Sequence, residues 1–387
     1  MSQSHDRPQG RRRPAGGPLI TAALRAHGRL TQVELADHTG LTPAAVSILV
    51  RELAAQGTVD IARTTRTGRS ANAVTLSRST GIVVGIDIGH SHIAVASSDL
   101  AHHILDERSA DFSTGGSREA TVELAVQLVS DSLAAAGAST GELLGIGLGI
   151  PGPLWEKNHE VTAGTILPDW VGTHPAEIFR HAFPGVPVTA DNDANLGALG
   201  ERFWGAGIDA DDLIYIKLST GVGAGLILND GIYRGSSGTA GEIGHLQVDS
   251  NGLLCACGHN GCLETVLGLP YLLHALTRPE DAPPTLAEVA ARAADGDAHT
   301  LSALTRAGNA LGTVLAGLTT TLSPSLVVVG GRCLEMGDHL VDTALARARS
   351  LVLPALSDNI QLRPGQLGNR AELLGALTVA YTNAVPR

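Results

Sequence analysis

The first 80 residues show apolar positions at helical spacing, broken by short polar stretches. Apolar residues recur every three or four positions in three segments, 18–28, 31–40 and 41–57. This period places them on one face of a helix. Each segment also ends on glycine, which commonly terminates helices because it adopts the left-handed conformation freely. The pattern predicts three short helices that share a small core.

The starts of the second and third helices carry capping residues. Thr31 and Glu34 stand three positions apart and predict a capping box, in which each side chain accepts a backbone N–H of the other residue. Thr42 is a typical N-cap, and Pro43 follows it at the first helical position, where its missing N–H is tolerated. The turn between the two helices spans about residues 39–41. This spacing is that of a helix-turn-helix.

Two short stretches of strand-like composition come next. Residues 58–63 and 71–77 predict two strands around an Arg- and Thr-rich tip at 64–70, which makes the head a winged helix. Small and polar groups at the start of the third helix can enter a major groove, and wing arginines commonly contact phosphate or the minor groove. We therefore expect DNA contacts from Thr42, Pro43, Ala44, Ser47, Arg51, Arg66, Gly68 and Arg69.

Charge separates this head from the rest of the chain. Residues 1–80 hold 11 Arg, no Lys and 5 acidic residues, a net charge of +6 in a chain of net −11, so the remainder carries −17. A basic head on an acidic body indicates that the head meets a polyanion. We expect a disordered basic tail over 1–17 and a winged helix over 18–78. Two alternatives stay open: an Arg-rich tail that accounts for the charge, and a helical oligomerisation module that never contacts DNA.

After Ser79 the pattern changes to short apolar runs separated by helical stretches. Runs such as 82–88, 143–150 and 326–330 have the length and composition of buried strands. They recur in two halves of the sequence. The pattern therefore predicts an α/β domain of two lobes with a cleft between them, over 80–385.

Polar and glycine-rich stretches follow several of these strands. Asp87 ends one strand beside a glycine turn, where a carboxylate can face Mg²⁺ and phosphates. Residues 191–195 hold two Asp and two Asn, which we interpret as an acidic loop before a helix, with a simple helix cap as the alternative. Glycines at 221 and 223 can let backbone amides approach an anion, or can form an ordinary hairpin turn. A glycine pair at 330–331 follows another strand.

The densest cluster of metal-binding residue types lies between Gly241 and Glu264. Four candidate ligands stand close together: His245, Cys255, Cys257 and Cys262. A Cys₃His set is a common structural zinc site, and four protein ligands leave no open position for catalysis. A disulfide is disfavoured for a cytosolic chain, and buried reduced cysteines are the alternative. Zinc would fix the loop that carries Glu242 and Glu264, whose carboxylates suit sugar hydroxyls.

These elements occur in the order found in one known family. GIDIGHSH, ADNDAN, STGVGAGLI, GEIGH, the C-x-C-G-x-x-G-C-L-E stretch and VVVGG together resemble the ROK family of repressors, open reading frames and sugar kinases, over about residues 80–385. With the winged helix, the chain resembles its transcriptional repressor branch. The resemblance implies an actin-like, hexokinase-like two-lobe fold with sugar in the cleft.

The resemblance also implies roles for particular residues. Sugar would be bound by Asn192, Asp193, Glu242, His245 and Glu264. His245 would use one ring nitrogen for zinc and the other for sugar, and Asp193 corresponds to the general base of the kinases. The positions that match nucleotide-binding motifs are Asp87, Gly89, Gly221, Gly223, Gly330 and Gly331.

The sequence departs from the kinase pattern at two places. His90 stands where the kinases have a second glycine, and its side chain is expected to hinder the backbone conformation that holds phosphate. This weakens the expected ATP site, although Asp193 is retained. Ile166 stands near a position that supplies a sugar-binding Asn in kinases, whereas Trp170 is kept.

We therefore expect a sugar-responsive repressor that binds operator DNA as a homodimer or a dimer of dimers, with structural Zn²⁺ and a sugar or sugar phosphate as effector. The alternative is an ATP- and Mg²⁺-dependent sugar kinase with an appended DNA-binding head, in which Asp193 is catalytic. A zinc-stabilised interaction scaffold is a third reading, but it gives the clustered carboxylates no role. The sequence has no run of about 18 apolar residues and no secretory signal, so we expect a cytoplasmic protein.

Overall fold

The computed structural model describes residues 16–66, 69–77, 81–112, 117–162, 167–279, 281–358 and 360–384. The chain divides into two compact units. One contains the residues up to Gly81 together with Asp99–His103, and the other contains Ile82–Ser98 and the residues from Ile104 onward. Among the described residues, no helix has both the length and the apolar character needed to cross a membrane.

The first unit is a three-helix core with a small sheet. Its elements are α1 (Gly16–His27), β1 (Leu30–Thr31), α2 (Gln32–Thr39), α3 (Pro43–Ala55), β2 (Val59–Arg66) and β3 (Arg69–Leu76). The antiparallel sheet has the order β1-β3-β2. Buried Ile20, Leu24, Leu35, Val46 and Val50 form the core between the helices.

The predicted caps are confirmed. Thr31 Oγ1 accepts the Glu34 N–H at 3.3 Å, and the Glu34 carboxylate accepts the Thr31 N–H at 2.7 Å. Gly40 ends α2 in the left-handed region at φ 67°, and Thr42 Oγ1 accepts the Ala45 N–H at 3.3 Å. These local contacts fix the turn between α2 and α3, because each satisfies a backbone group that the helix end leaves free.

The boundaries differ from the prediction at two places. Helix α1 begins at Gly16, two residues earlier than expected. Strands β2 and β3 extend into the segment interpreted as the wing tip, so that Arg66 pairs with Arg69 across the hairpin. The predicted turn residue Gly68 lies outside the described residues.

The second unit contains two five-stranded sheets. The first has the order β6-β5-β4-β7-β8, from β4 (Ile82–Ile88), β5 (His92–Asp99), β6 (Ile104–Asp111), β7 (Leu143–Ile150) and β8 (Val188–Asn192). The second has the order β11-β10-β9-β12-β13, from β9 (Leu213–Leu218), β10 (Val222–Leu228), β11 (Gly231–Ile232), β12 (Leu326–Gly330) and β13 (Leu362–Pro364). The two sheets confirm the predicted two-lobe α/β fold.

Helices cover these sheets. They are α4 (Arg118–Ala135), α5 (Pro175–Ala182), α6 (Asp193–Trp204), α7 (Glu264–Leu267), α8 (Leu269–Leu276), α9 (Leu286–Ala294), α10 (Ala298–Leu322), α11 (His339–Leu351), α12 (Pro354–Ser357) and α13 (Ala371–Asn383). In the first lobe, β4 runs parallel to β7 and β7 to β8. In the second, β12 runs parallel to β9 and β13. Parallel pairs need helical crossovers, which explains why helices separate these strands in the sequence.

Glycines allow α6 and α13 to cross closely where the lobes join. A Cβ atom at Gly375 would lie 1.8 Å from the Leu196 carbonyl oxygen, and one at Gly200 would lie 2.1 Å from the Ala371 carbonyl oxygen. No side chain fits at such distances. The crossing places the N-terminus of α6 at the cleft between the lobes.

The acidic loop predicted at 191–195 is instead a strand–helix junction. Strand β8 ends at Asn192 and α6 begins at Asp193. The Asn192 side-chain oxygen accepts the N–H groups of Ala194 at 2.8 Å and Asn195 at 3.3 Å. Asn192 is therefore the N-cap of α6, and its neighbours gain fixed positions from the cap.

Candidate ligand cleft, metal centre and DNA-facing helix

A cavity of about 670 Å³ lies between the two lobes of the second unit. Its volume is typical of small-molecule sites. The structure brings all five predicted sugar-binding residues to this cavity: Asn192, Asp193, Glu242, His245 and Glu264. They come from segments that are distant in sequence.

On the first lobe, the cap of α6 fixes Asn192 and Asp193. Asn192 Nδ2 donates to the Gly152 carbonyl at 3.1 Å, which uses one of its two amide hydrogens. Asp193 Oδ1 accepts the Ala194 N–H at 2.8 Å, and Asp193 Oδ2 accepts Lys217 Nζ at 2.9 Å. Both side chains are thus held at the cavity wall before any ligand binds.

On the second lobe, Glu242 and Glu264 face the same cavity. Burial raises the pKa of Glu242 to about 7, against the opposing effect of His245, with Asp193 and Glu264 adding to the rise. Glu264 Oε2 accepts the Val222 N–H at 3.1 Å. The carboxylates of the cavity can therefore accept hydrogen bonds from hydroxyl groups, and the Asn192 amide can donate to them.

Lys217 is a cleft residue that the sequence analysis missed. Its Nζ lies 2.9 Å from Asp193 Oδ2 and 3.3 Å from Glu372 Oε1, and its side chain is 18% exposed. Burial acts to lower the pKa of Lys217, but Asp193, Glu372 and Asp87 outweigh it and hold that pKa above the usual value. A sign was available in the sequence, because Lys217 interrupts the apolar strand LIYIKL and is one of only two lysines in the chain.

The predicted nucleotide-binding positions do not form one set. Gly89, Gly221 and Gly223 line the cavity, whereas Asp87, Gly330 and Gly331 are not among its lining residues. Packing accounts for the last two glycines. A Cβ atom at Gly330 would lie 2.4 Å from the Tyr215 hydroxyl oxygen, and Gly331 has φ 93°.

Asp87 is 2% exposed and already has a partner. Its Oδ2 lies 3.0 Å from His92 Nε2, whose ring covers Gly89 so closely that a Cβ atom there would lie 2.2 Å from His92 Cε1. His90 has a φ outside the left-handed region, and its expected effect on phosphate binding stays a prediction. The ring of His92, two residues further on, fills the space beside Gly89.

The four predicted metal ligands come together beside the cleft. One donor atom each from His245, Cys255, Cys257 and Cys262 lies within 4.8 Å of the other three. Cys257 Sγ is 3.6 Å from Cys262 Sγ, and Cys255 Sγ is 3.6 Å from His245 Nδ1. Donors about 2.0–2.3 Å from a tetrahedral ion are separated by about 3.6–3.8 Å, so the set fits zinc. All four cysteines of the chain are free thiols.

Electrostatics around the thiols also suit a cation. The backbone and ring of His259 lower the pKa of Cys257 to about 6, whereas burial raises the pKa of Cys262 to about 12. At this distance, a negative charge on one thiolate disfavours ionisation of the other two thiols. A divalent cation that binds all three sulfurs stabilises them together as thiolates. The chain turns tightly around them because Gly261 has φ 68°.

In the first unit, the predicted DNA-contacting residues of α3 lie on its outer face. Thr42, Pro43, Ala44 and Arg51 are exposed, and Ser47 is half-buried. Ile48, which is not among the predicted residues, is 51% exposed and follows Ala44 by one helical turn. Arg66 and Arg69 lie in the paired strands β2 and β3, and their side chains are outside the described residues.

Comparison with protein families identifies the second unit. The family model described as "ROK family" matches residues 83–383, which is more than half of the chain. The chain belongs to the ROK family. A second model, described as "MarR family", matches residues 22–70. The ROK fold of this chain is thus actin-like and hexokinase-like in two lobes, and a winged helix-turn-helix precedes it.

Relatives of this chain include both repressors and kinases. A xylose repressor of Bacillus spizizenii is 29% identical over 363 residues, with 93% of each chain covered. A glucokinase of Halalkalibacterium halodurans is 33% identical over 325 residues, with 76% of this chain and 92% of its own covered. The repressor match includes the winged helix, whereas the kinase match leaves about a quarter of the ROK chain uncovered.

A solved structure supports the fold of the whole chain. It is described as a ROK family transcriptional regulator, a homologue of the E. coli MLC protein, and has a TM-score of 0.77 at 20% identity. The match covers 95% of this chain and 96% of that one. The likeness in fold therefore extends over both units of the chain.

Proposed function

We propose that the protein is a sugar-responsive transcriptional repressor. The observation that carries the proposal is one chain with both a winged helix and a ROK cleft, matched over 93% of its length by a xylose repressor. The head would bind operator DNA and the cleft would bind the effector. A homodimer or dimer of dimers would present two heads to the two halves of a pseudo-palindromic operator.

Sugar recognition would rest on the polar lining of the cleft. Asn192 keeps one amide hydrogen for a ligand, since the other goes to Gly152. Asp193, Glu242 and Glu264 offer carboxylate oxygens to ring hydroxyls. His245 Nδ1 lies toward Cys255, while its Nε2 lies 3.9 Å from Glu242. His245 can therefore join the metal set through one nitrogen and the sugar site through the other.

Zn²⁺ would be held by His245, Cys255, Cys257 and Cys262. It would supply structural stabilisation, because four protein ligands complete a tetrahedral shell. The loop between these ligands also connects Glu242 to Glu264. Fixing it would position both carboxylates for the ligand.

Operator binding would rest on α3 and the wing. Ala44, Ile48 and Arg51 share one face of α3, at spacings of four and three residues. Ala44 is small, Ile48 is apolar and Arg51 is basic, so this face suits contacts with a thymine methyl group and a DNA phosphate. Arg66 and Arg69 of the wing would add contacts to the DNA backbone or the minor groove.

Regulation would require the sugar to bind one arrangement of the two lobes better than the other. Coupling between two such sites typically amounts to about 1–3 kcal/mol. The crossing of α6 and α13 is the natural site for the change, because α6 begins in the cleft and both helices lie where the lobes join.

The kinase alternative has support of its own, since a glucokinase matches the lobes at 33% identity and Asp193 is retained in the cleft. An assay of ADP release with candidate sugars, ATP and Mg²⁺ tests it. Turnover that vanishes in Asp193→Asn would establish the kinase, whereas equal background in both proteins excludes it for those sugars.

The repressor proposal is tested in two steps. A thermal-shift screen of monosaccharides and their phosphate esters identifies cleft ligands, since a ligand that binds the folded state raises the melting temperature. Selection from random duplex DNA then identifies the operator. We expect at least one sugar and one enriched DNA sequence, with the DNA lost in Arg51→Ala and the sugar lost in Glu264→Gln. A protein that enriches no sequence is not a repressor of this kind.

A further inference from the structure

The charged end of the cleft already contains its own charge partners. Asp193 and Glu372 share the Lys217 ammonium at 2.9 and 3.3 Å, and Asp87 shares a hydrogen bond of 3.0 Å with His92. The carboxylates of Asp87, Asp193 and Glu372 are 3%, 15% and 6% exposed. Asp193, Lys217 and His92 thus line this end of the cleft, and the buried carboxylates of Asp87 and Glu372 pair with them from behind its wall before a ligand enters.

Such an arrangement does not favour an additional anion. A phosphate within hydrogen-bonding distance of Lys217 would also lie close to Asp193 and Glu372, which already form ion pairs with that ammonium. Like charges repel strongly at this range when they are shielded from water. Lys217 and His92 are thus already paired with carboxylates of the protein.

A hydroxyl group meets different conditions at the same place. An ammonium has three N–H donors; one is hydrogen-bonded to Asp193, and Glu372 is a charge partner at 3.3 Å. A hydroxyl can accept a remaining N–H and donate its own hydrogen to the Asp193 carboxylate. A fully ionised phosphate has no hydrogen to donate. The ion pair between Lys217 and Asp193 is therefore complementary to a group that is both acceptor and donor.

We propose that Lys217 is a specificity-determining residue. Together with Asp193 it hydrogen-bonds a hydroxyl group of the ligand, so that the cleft binds a free sugar more tightly than its phosphate ester. The inference rests on the proposed sugar-binding function of the cleft. His92 and Asp87 also have a role, because the His92 ring is held by Asp87, covers Gly89 and forms the adjoining wall of the cleft. Lys217 orients Asp193 as a hydrogen-bond acceptor.

Calorimetric titration compares each free sugar that binds with its phosphate ester. We expect the ester to bind at least about tenfold more weakly, which is the contribution of one hydrogen bond to a charged group. Lys217→Gln should weaken the free sugar by a similar factor, and it should not improve binding of the ester, because Asp193 and Glu372 then lack their cation. Lys157→Gln is the matched control, because Lys157 is the other lysine of the chain, is exposed, and does not line the cavity. It should leave the preference unchanged.

A second measurement uses the unsubstituted protein, in case Lys217→Gln does not fold. The chain has two lysines, Lys157 and Lys217, and Lys157 is exposed. With ¹⁵N-labelled lysine side chains, NMR resolves both ammonium groups, and Lys157→Arg assigns them. We expect a free sugar to shift the Lys217 signal and leave the Lys157 signal in place.

The outcomes separate this inference from the function on which it rests. An ester that binds as tightly as the free sugar, or a Lys217 signal unmoved by bound sugar, overturns the role of Lys217 and leaves a sugar-responsive protein. If neither sugars nor esters bind, the proposed sugar response fails, and the inference fails with it.

Discussion

Single residues decide the chemistry of the cleft, and partners far apart in sequence determine what each residue can do. Asp193 and Glu264 were predicted from a resemblance to short motifs, and the structure brings both to one cavity. Lys217 and Glu372 were not predicted. They are 155 positions apart and meet because α13, which packs on α6 and on the first sheet, brings Glu372 to β9, where Tyr215 also donates to it at 3.3 Å. Sequence patterns report which face of a strand is buried, but they do not report which distant helix supplies a counter-charge.

The role of Lys217 in stability is testable by substitution. Lys217→Met leaves the buried carboxylates of Asp193 and Glu372 without their cation, and removal of one partner from a buried pair typically costs about 3–5 kcal/mol. We expect a melting temperature several degrees lower for the ROK unit by calorimetry. Lys157→Met, at an exposed position, should change the stability by no more than about 0.5 kcal/mol. Equal melting temperatures for both variants would show that the pair contributes little.

His92 gives a prediction in pH. The hydrogen bond to Asp87 raises the pKa of His92, with burial and Lys217 opposing and the charges of Asp87 and Glu372 assisting. A raised folded-state pKa means that the contribution of His92 to stability is complete below about pH 6.5, the ordinary histidine pKa. It is lost as the pH rises through the raised value. NMR titration of the ring, assigned with His92→Gln, should give a pKa above the ordinary one in the wild type and a lower pKa in Asp87→Asn. Titration of wild-type His92 at or below the ordinary value contradicts the bond.

Elements of the head were the most predictable part of the fold, because their signals are local. Capping at Thr31 and Thr42 and the left-handed Gly40 lie within a few residues of the groups they satisfy. The wing strands were predicted too short, because polar Thr and Arg residues at 64–66 were interpreted as a turn while cross-strand pairing continues through them. The acidic stretch at 191–195 was misjudged for a related reason: one cap at Asn192 joins strand to helix without a loop.

Helix α3 carries an exposed apolar side chain, Ile48, on the face proposed to contact DNA. Ile48 is 51% exposed between Ala44 and Arg51 on the outer face. If it contacts a thymine methyl group, Ile48→Ala should weaken binding to the selected operator by about 1–3 kcal/mol and relax the preference at one base pair. Fluorescence anisotropy with single-base operator variants measures this. Val33→Ala serves as the control, because Val33 is a comparably exposed residue of α2. A uniform loss across all sequences would contradict base reading by Ile48.

The proposed zinc site gives a prediction for the stability of the loop between Glu242 and Glu264. We expect about one zinc per chain by elemental analysis, and removal by a chelator should lower both the melting temperature and the affinity for sugar. Cys257→Ser should act in the same direction, because it removes one of four ligands. Cys333→Ser is the matched control, since Cys333 is buried away from the cluster. A protein without zinc whose sugar affinity survives chelation would refute the structural role.

At the scale of the whole molecule, the division between a basic head and an acidic body was evident from charge alone. The two-lobe fold followed from strands recurring in two halves, and two five-stranded sheets bear this out. The cleft between the lobes was less accessible to sequence, because its shape depends on the close crossing of α6 and α13 at Gly200 and Gly375. Which effector the protein binds depends on the shape of this cleft.

The coupling between cleft and head is the central claim, and one measurement tests it most directly. Affinity for the selected operator is measured by anisotropy with and without a saturating sugar that binds the cleft, for the wild type and for Glu264→Gln. We expect the sugar to change the operator affinity of the wild type by about 5–150-fold, which corresponds to about 1–3 kcal/mol, and to leave that of Glu264→Gln unchanged. An operator affinity that is identical with and without bound sugar would contradict the claim.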